Sequence, residues 1–187
     1  MVDKALRWYE GYGDYGAVEK QFDSNEEWVF YQWCLEALEA KVLSEFAYHT
    51  ETFLLTPSYK LPMANGKNFT LRPHKYTPDF YLWFDEEMDD KYKEMVSHLY
   101  TYAWMGSHID VKGKFNRHGG DRVFALNQKM LMKEHNVPVH KIVPQVFFKK
   151  AWVPESVLCG KRGTRLKRWD GCKTLQEVID GLDTGSE

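Results

Sequence analysis

The chain predicts an α/β domain in which strands and helices alternate. Three observations carry that reading. Segments with helical and strand periodicity alternate along the sequence. Hydrophobic residues make up 43% and charged residues 28% of the 187 positions, the balance of an ordinary folded domain. No apolar run reaches the roughly 18 residues that a membrane-spanning helix needs, so no membrane role is expected. The length gives room for one compact domain that buries a core without disulfides.

Residues 1–22 are rich in Tyr and Gly without sustained periodicity, and read as an irregular arm or a short helix. In FDSNEEWVFYQWCLEALEAKV, Ser24 followed by Glu27 forms a capping box, and helix formers then run to about Val42. Glu27, Phe30, Tyr31, Cys34 and Leu38 share one face of this helix, so a carboxylate heads an otherwise core-directed stripe. ETFLLTP reads as a strand. PSYKLPMANGKNFTLRPHK is a turn-rich connection in which Asn65-Gly66 suits a hairpin, and YTPDFYLWF is a second strand.

DEEMDDKYKEMVSHLYTYAWMG opens with five acids in six positions and then becomes helix-compatible. It reads as an insertion with a solvated tip whose charge repels nucleic acid. SHIDVKGKF is a short alternating strand ended by Gly113, DRVFALNQKMLMKEHN is a helix with Phe124, Gln128 and Leu131 on one side, and VHKIVPQVFF is a last apolar strand. From Ala151 the chain is basic and closes with a short helix, TLQEVIDGL. The expected organisation is an arm at 1–22, a main domain at 23–150 and a basic extension at 151–187.

Cys34, Cys159 and Cys172 are odd in number and form no spaced pair, which argues against a disulfide framework or a zinc knuckle and for a reducing compartment. The N-terminal sequence lacks a secretory pattern, so a cytoplasmic product is expected. The formal net charge is −2, which excludes a uniformly basic coat. The stretch from Lys149 to Lys173 nevertheless holds eight Lys or Arg against Glu155 and Asp170, a local +6 against −8 elsewhere.

The strand period in SHIDVKGKF puts His108, Asp110 and Lys112 on one face, with Ile109 and Val111 on the other. An Asp and a Lys two apart also make an ordinary solvated pair on a half-exposed strand. A second acid, Asp79, opens a very apolar strand that gains nothing from a carboxylate unless that group has a task. Together with Glu27 the chain offers three acids and one lysine, the oxygen-rich set that suits a hard cation.

Pro78-Asp79 followed by Asp110-Val111-Lys112, with a helix bearing Glu27 ahead of them, resembles the PD-(D/E)xK nuclease superfamily, which implies its restriction-endonuclease-like fold, a central mixed sheet of four or five strands flanked by helices (αβββαβ core). FDSNEE, YTPDF and IDVKGKF are similar in particular to phage and prophage endonucleases, and more distantly to phage-type Holliday junction resolvases. The resemblance covers roughly residues 22 to 148 and departs in one respect, since the 31 positions between Asp79 and Asp110 exceed the usual short hairpin. It implies a Mg²⁺-dependent DNA endonuclease, with Mn²⁺ as substitute and a homodimer as a plausible assembly. A structure-selective resolvase and a non-catalytic DNA-binding or assembly module are the alternatives.

By that resemblance Asp79, Asp110 and the Val111 carbonyl are metal ligands, Glu27 completes or orients the metal shell with Glu26 as its rival, and Lys112 sits against the attacking water and scissile phosphate. Gln128 is an accessory candidate near the phosphate. Lys114 and Arg117, directly after the catalytic strand, are candidate phosphate contacts. The run KRGTRLKRW adds Lys161, Arg162, Arg165, Lys167 and Arg168, a composition suited to backbone contacts, with Trp152 and Trp169 as candidate stacking surfaces.

Overall fold

The structure is a computed structural model that describes residues 8–10, 17–19, 22–49, 51–99, 106–113 and 120–183. In chain order the strands and α-helices are β1 (Trp8–Glu10), β2 (Ala17–Glu19), α1 (Asn25–Glu39), β3 (Leu43–Tyr48), β4 (Phe53–Thr56), β5 (Tyr59–Pro62), β6 (Asn68–Leu71), β7 (His74–Tyr76), β8 (Phe80–Phe84), α2 (Asp90–Val96), β9 (Gly106–Val111), α3 (Gly120–His135), β10 (Val139–Ile142), α4 (Pro144–Phe147), α5 (Glu155–Leu158) and α6 (Leu175–Asp183).

Helix α1 begins at the predicted Ser24–Glu27 pair, although the Glu27 carboxylate takes the N–H one residue before the cap. The Ser24 hydroxyl accepts the Glu27 backbone N–H at 3.2 Å, and the Glu27 carboxylate accepts the Asp23 N–H at 3.1 Å. It ends through Lys41, whose φ of 54° reverses the chain, while the Val42 N–H returns to the Ala37 carbonyl at 2.8 Å. The chain then enters β3 at once. The sequence reading contains no strand here, because Leu43, Glu45 and Ala47 continue the helical composition and lysine seldom marks a left-handed stop.

The central sheet has four strands in the order β3-β8-β9-β10. The first two pairings are antiparallel and β9–β10 is parallel. The expected α/β class with a mixed four-strand sheet and flanking helices is therefore present. The predicted strand YTPDFYLWF is two strands, β7 and β8, because Pro78 has no N–H for a ladder and the chain turns there. The predicted strand ETFLLTP is β4, but it pairs with β7 in a separate ribbon and does not join the sheet. VHKIVPQVFF ends as a strand at Ile142, since Pro144 starts α4. Where an irregular arm or helix was expected near the N-terminus, β1 and β2 pair as antiparallel strands.

Two apolar clusters cover the two faces of the sheet. On one, Phe30, Trp33 and Cys34 of α1 pack against Phe80, Leu82, Ile109, Val111 and Ile142. On the other, Phe124 and Leu131 of α3 meet Phe53, Leu55, Tyr76 and Val139. In β9 the alternation that sends Ile109 and Val111 to the α1 side sends Asp110 to the α3 side.

The stretch after Ala151, expected as an appended extension, belongs to the α1-side core through Trp152, Val153, Val157, Trp169, Cys172 and Val178. Trp152 and Trp169 are both 0% exposed, so neither offers a face to a base. Lys149, Lys150 and Lys167 beside them are exposed, and the Arg168 guanidinium lies over the Trp169 ring, 5.1 Å from its centroid. The Trp169 N–H donates to the Val157 carbonyl at 2.8 Å, and the Trp152 N–H donates to Glu36 at 2.9 Å. Glu36 also accepts the Glu155 backbone N–H at 2.8 Å, which ties α1 to α5. Replacing Glu36 with alanine leaves a buried indole N–H and a helix-start N–H without their acceptor, so a loss of about 1–3 kcal/mol in chemical denaturation is expected. An unchanged midpoint would show that this carboxylate is no clasp.

Candidate active site

One end of the sheet gathers all four residues that the sequence singled out. Register makes this so. Phe80 lies opposite Ile109 in the antiparallel β8–β9 pair, which brings Asp79, just before β8, beside the Asp110–Lys112 end of β9. Tyr48 lies opposite Phe80, so the C-terminal end of β3 reaches the same place, and the first turn of α1 rests on it through Glu27. The 31 positions between the aspartates do not separate them, because the insertion leaves from the far end of β8 and returns at the far end of β9.

Each carboxylate has a definite tether. Asp79 Oδ2 accepts the Val111 backbone N–H at 2.6 Å, and its Oδ1 lies 3.6 Å from His49 Nε2. Asp110 Oδ1 accepts the Tyr76 hydroxyl at 3.0 Å, and its Oδ2 meets the Lys112 ammonium at 2.6 Å. Glu27 accepts the Tyr48 hydroxyl at 2.6 Å and the Ser24 hydroxyl at 2.7 Å. Glu27, Asp79 and Asp110 are all buried, which is costly for acids placed together without a task.

The electrostatics report the crowding. Burial first, then the charges of Asp110 and Glu27, push the Asp79 carboxyl from 3.8 up to about 7, against the pull of Lys112 and the Val111 N–H. Burial opposes the charge on Lys112, yet Asp110, Asp79 and Glu27 outweigh it and hold the ammonium above its ordinary value. Burial and Asp110 likewise raise Tyr76, so its hydroxyl stays a proton donor. Three carboxylates against one ammonium leave an excess of negative charge that a divalent cation would balance, and the donors are hard oxygens suited to such an ion. Asp23, Glu27 and His49 form a further group whose ligand atoms lie within 4.8 Å of one another.

Of the two helix acids, Glu27 is the one whose charge reaches Asp79, whereas Glu26 lines a cleft with Gly113. The Gln128 amide donates to the Val139 carbonyl at 2.7 Å and so ties α3 to β10. Its neighbour Asn127 instead lines a cleft of about 260 Å³ with Tyr76, Asp110, Lys112, Val123 and Phe124, and its buried Oδ1 lacks a hydrogen-bond partner among the described residues. The sequence reading missed Tyr48, His49, Tyr76 and Asn127. The first three carry no motif, and Asn127 could have been found from its place one residue from Gln128.

Lys114 and Arg117 lie outside the described residues. Lys167 and Arg168 line a cleft of about 700 Å³ with Glu26, Gly113, Gln145, Lys149 and Asp170, which adjoins the end of β9 just beyond Lys112. Lys161, Arg162 and Arg165 border a separate depression in the 160–167 turn. The Arg165 guanidinium donates to the Trp169 and Cys172 carbonyls, and so holds that turn. Among the described residues no helix is long and apolar enough to cross a membrane.

Tyr76→Phe removes the donor that orients Asp110. If these carboxylates hold a divalent ion, a 10–100-fold loss in affinity for it is expected by calorimetry. Wild-type affinity in that variant would mean that Tyr76 only fills space. No family model matches the chain, and no curated protein or solved structure matches it.

Proposed function

We propose that this chain is a divalent-metal-dependent endonuclease that hydrolyses phosphodiester bonds in DNA on a restriction-endonuclease-like core, of the kind found among phage and prophage nucleases. The observation that carries the reading is the convergence of Glu27, Asp79, Asp110 and Lys112 at one end of the sheet despite their separation in sequence. The order of the sheet elements and their flanking helices, α1-β3-β8-β9-α3-β10 with the last strand parallel, supports the same reading.

In this reading Asp79, Asp110, the Val111 carbonyl and Glu27 hold Mg²⁺, with Mn²⁺ as substitute. The bound ion supplies Lewis acidity toward the scissile phosphate and a more acidic water. Asp110 keeps the Lys112 ammonium in place, and that positive charge faces the anion that forms when water attacks phosphorus. Tyr76 fixes one oxygen of Asp110, and the Val111 N–H fixes one oxygen of Asp79, so neither carboxylate needs to reorganise during the reaction. A homodimer under two-fold symmetry would bring two such sites to two strands.

The test is incubation of supercoiled, linear and four-way DNA with Mg²⁺, Mn²⁺ or EDTA. Cutting that requires the divalent ion supports the proposal, and a strong preference for the four-way substrate would narrow it to a branched-DNA resolvase. Binding of DNA without cutting under any of these conditions would overturn it in favour of a non-catalytic module.

A further inference from the structure

Between β4 and β7 the chain forms a two-stranded ribbon. β5 and β6 pair from Tyr59↔Leu71 to Pro62↔Asn68, and every residue of both strands is exposed. The turn is closed by the Gly66 N–H donating to the Met63 carbonyl, with Gly66 at φ 78°, a conformation that glycine adopts without strain. The register puts Tyr59, Leu61, Phe69 and Leu71 on one face, each 43% to 54% exposed. Lys60, Asn68 and Thr70 occupy the other. An isolated two-stranded ribbon is marginal in water, and four large apolar side chains held out on it contribute nothing to the core.

Charge indicates the occupant. From residue 52 to residue 78 there is no Asp or Glu, while Lys60, Lys67, Arg72 and Lys75 give this segment +4 in a chain of net −2. A second copy of the same segment would bring four cations and no acid to pair with them, which disfavours self-association there. The base of the ribbon belongs to the candidate site. Tyr76 of β7 hydrogen-bonds Asp110, and Asp79 follows three residues later, so the ribbon springs from the same β4–β7 pair that carries Tyr76 to the carboxylates.

We infer that the β5–β6 ribbon is a nucleic-acid-binding arm that lies in a groove of the duplex flanking the cut, with its apolar face against sugars and base edges and with Lys67 at its turn and Arg72 and Lys75 at its base on the bordering phosphates. This rests on the nuclease reading and adds to it the path of the duplex and the residues that grip it. A major groove about 12 Å wide admits a two-stranded ribbon, and apolar side chains of such elements contact methyl groups or wedge between base steps.

The experiment measures binding of the full chain to a labelled duplex in EDTA over a salt series, together with cleavage in Mg²⁺. One variant combines Lys67→Gln, Arg72→Gln and Lys75→Gln; another combines Tyr59→Ser and Phe69→Ser. All five positions are exposed, so both variants keep the wild-type melting temperature. The charge variant is expected to bind at least tenfold more weakly, with the slope of log affinity on log salt reduced by about one for each phosphate that is no longer neutralised. The apolar variant is expected to lose about tenfold or more in affinity with little change in slope.

Wild-type affinity and slope in both variants, with the wild type binding and cutting, would overturn the arm and leave the nuclease standing. A wild type that neither binds nor cuts would overturn the nuclease reading and the arm with it. Loss of a dimer in sedimentation by the apolar variant, with unchanged DNA affinity, would assign the ribbon to a second copy instead.

Discussion

Asp110→Asn is expected to lower divalent-dependent cleavage by about a thousandfold or more while DNA binding in EDTA stays near wild type. The size follows from what the carboxylate does at once. One oxygen is a proposed metal ligand, and the other holds the Lys112 ammonium at 2.6 Å. An amide is a poorer ligand for a hard cation and presents no charge to Lys112, so the substitution weakens the cation site and loosens the positive charge at phosphorus together. Removing one preorganised electrostatic group alone typically costs about 10²–10³ in rate. The variant keeps the shape of the side chain and an oxygen for the Tyr76 hydroxyl, so its fold is preserved. Cleavage within tenfold of wild type in single-turnover assays would exclude Asp110 from the chemistry.

The second large effect is one of stability, and its sign opposes that of the activity. With Asp79 raised to about 7 in the folded chain against 3.8 ordinarily, the native state holds a proton that the unfolded state releases. Stability from this group is therefore fully present below about pH 4, falls as pH rises toward 7, and is flat above. The cost at pH 8 without divalent ions is on the order of a few kcal/mol. Asp79→Asn abolishes that cost, since an amide bears no charge toward Asp110 and Glu27 and still offers an oxygen to the Val111 N–H. The variant is expected to unfold at higher denaturant than wild type at pH 8 in EDTA, with the difference closing by about pH 4, and to cut no DNA. Added Mg²⁺ should raise the stability of the wild type and leave the variant unmoved. Equal denaturation midpoints across that pH range would mean that the carboxylates are not crowded.

The sequence made the chemical residues legible more readily than the architecture that holds them. Ser24 caps α1 and Glu27 lies in its first turn, while Asp110 is in β9 and Lys112 directly follows it, so helix and strand periods place them directly. β3 was not legible, because the end of α1 is made by Lys41 at positive φ, where composition gives no Gly or Asn to announce it. The role of Tyr76 depends on a ribbon that packs on the α3 side of the sheet, a non-local contact that no local pattern encodes. Trp152 and Trp169 misled for the opposite reason. Most of their sequence neighbours are exposed cations, while their own burial depends on residues remote in sequence, Glu36 of α1 for Trp152 and Phe148 for Trp169.

The antiparallel β8–β9 pair has one end at the carboxylates and the other at the acidic insertion, roughly 13 Å apart for a five-residue strand. Residues 85–105 can therefore lengthen, shorten or change charge during evolution without altering the spacing of Asp79 and Asp110, which the ladder alone dictates. Related chains could carry very different insertions at that end while keeping the same carboxylate geometry, and a search keyed to a fixed interval between the two aspartates would pass over them.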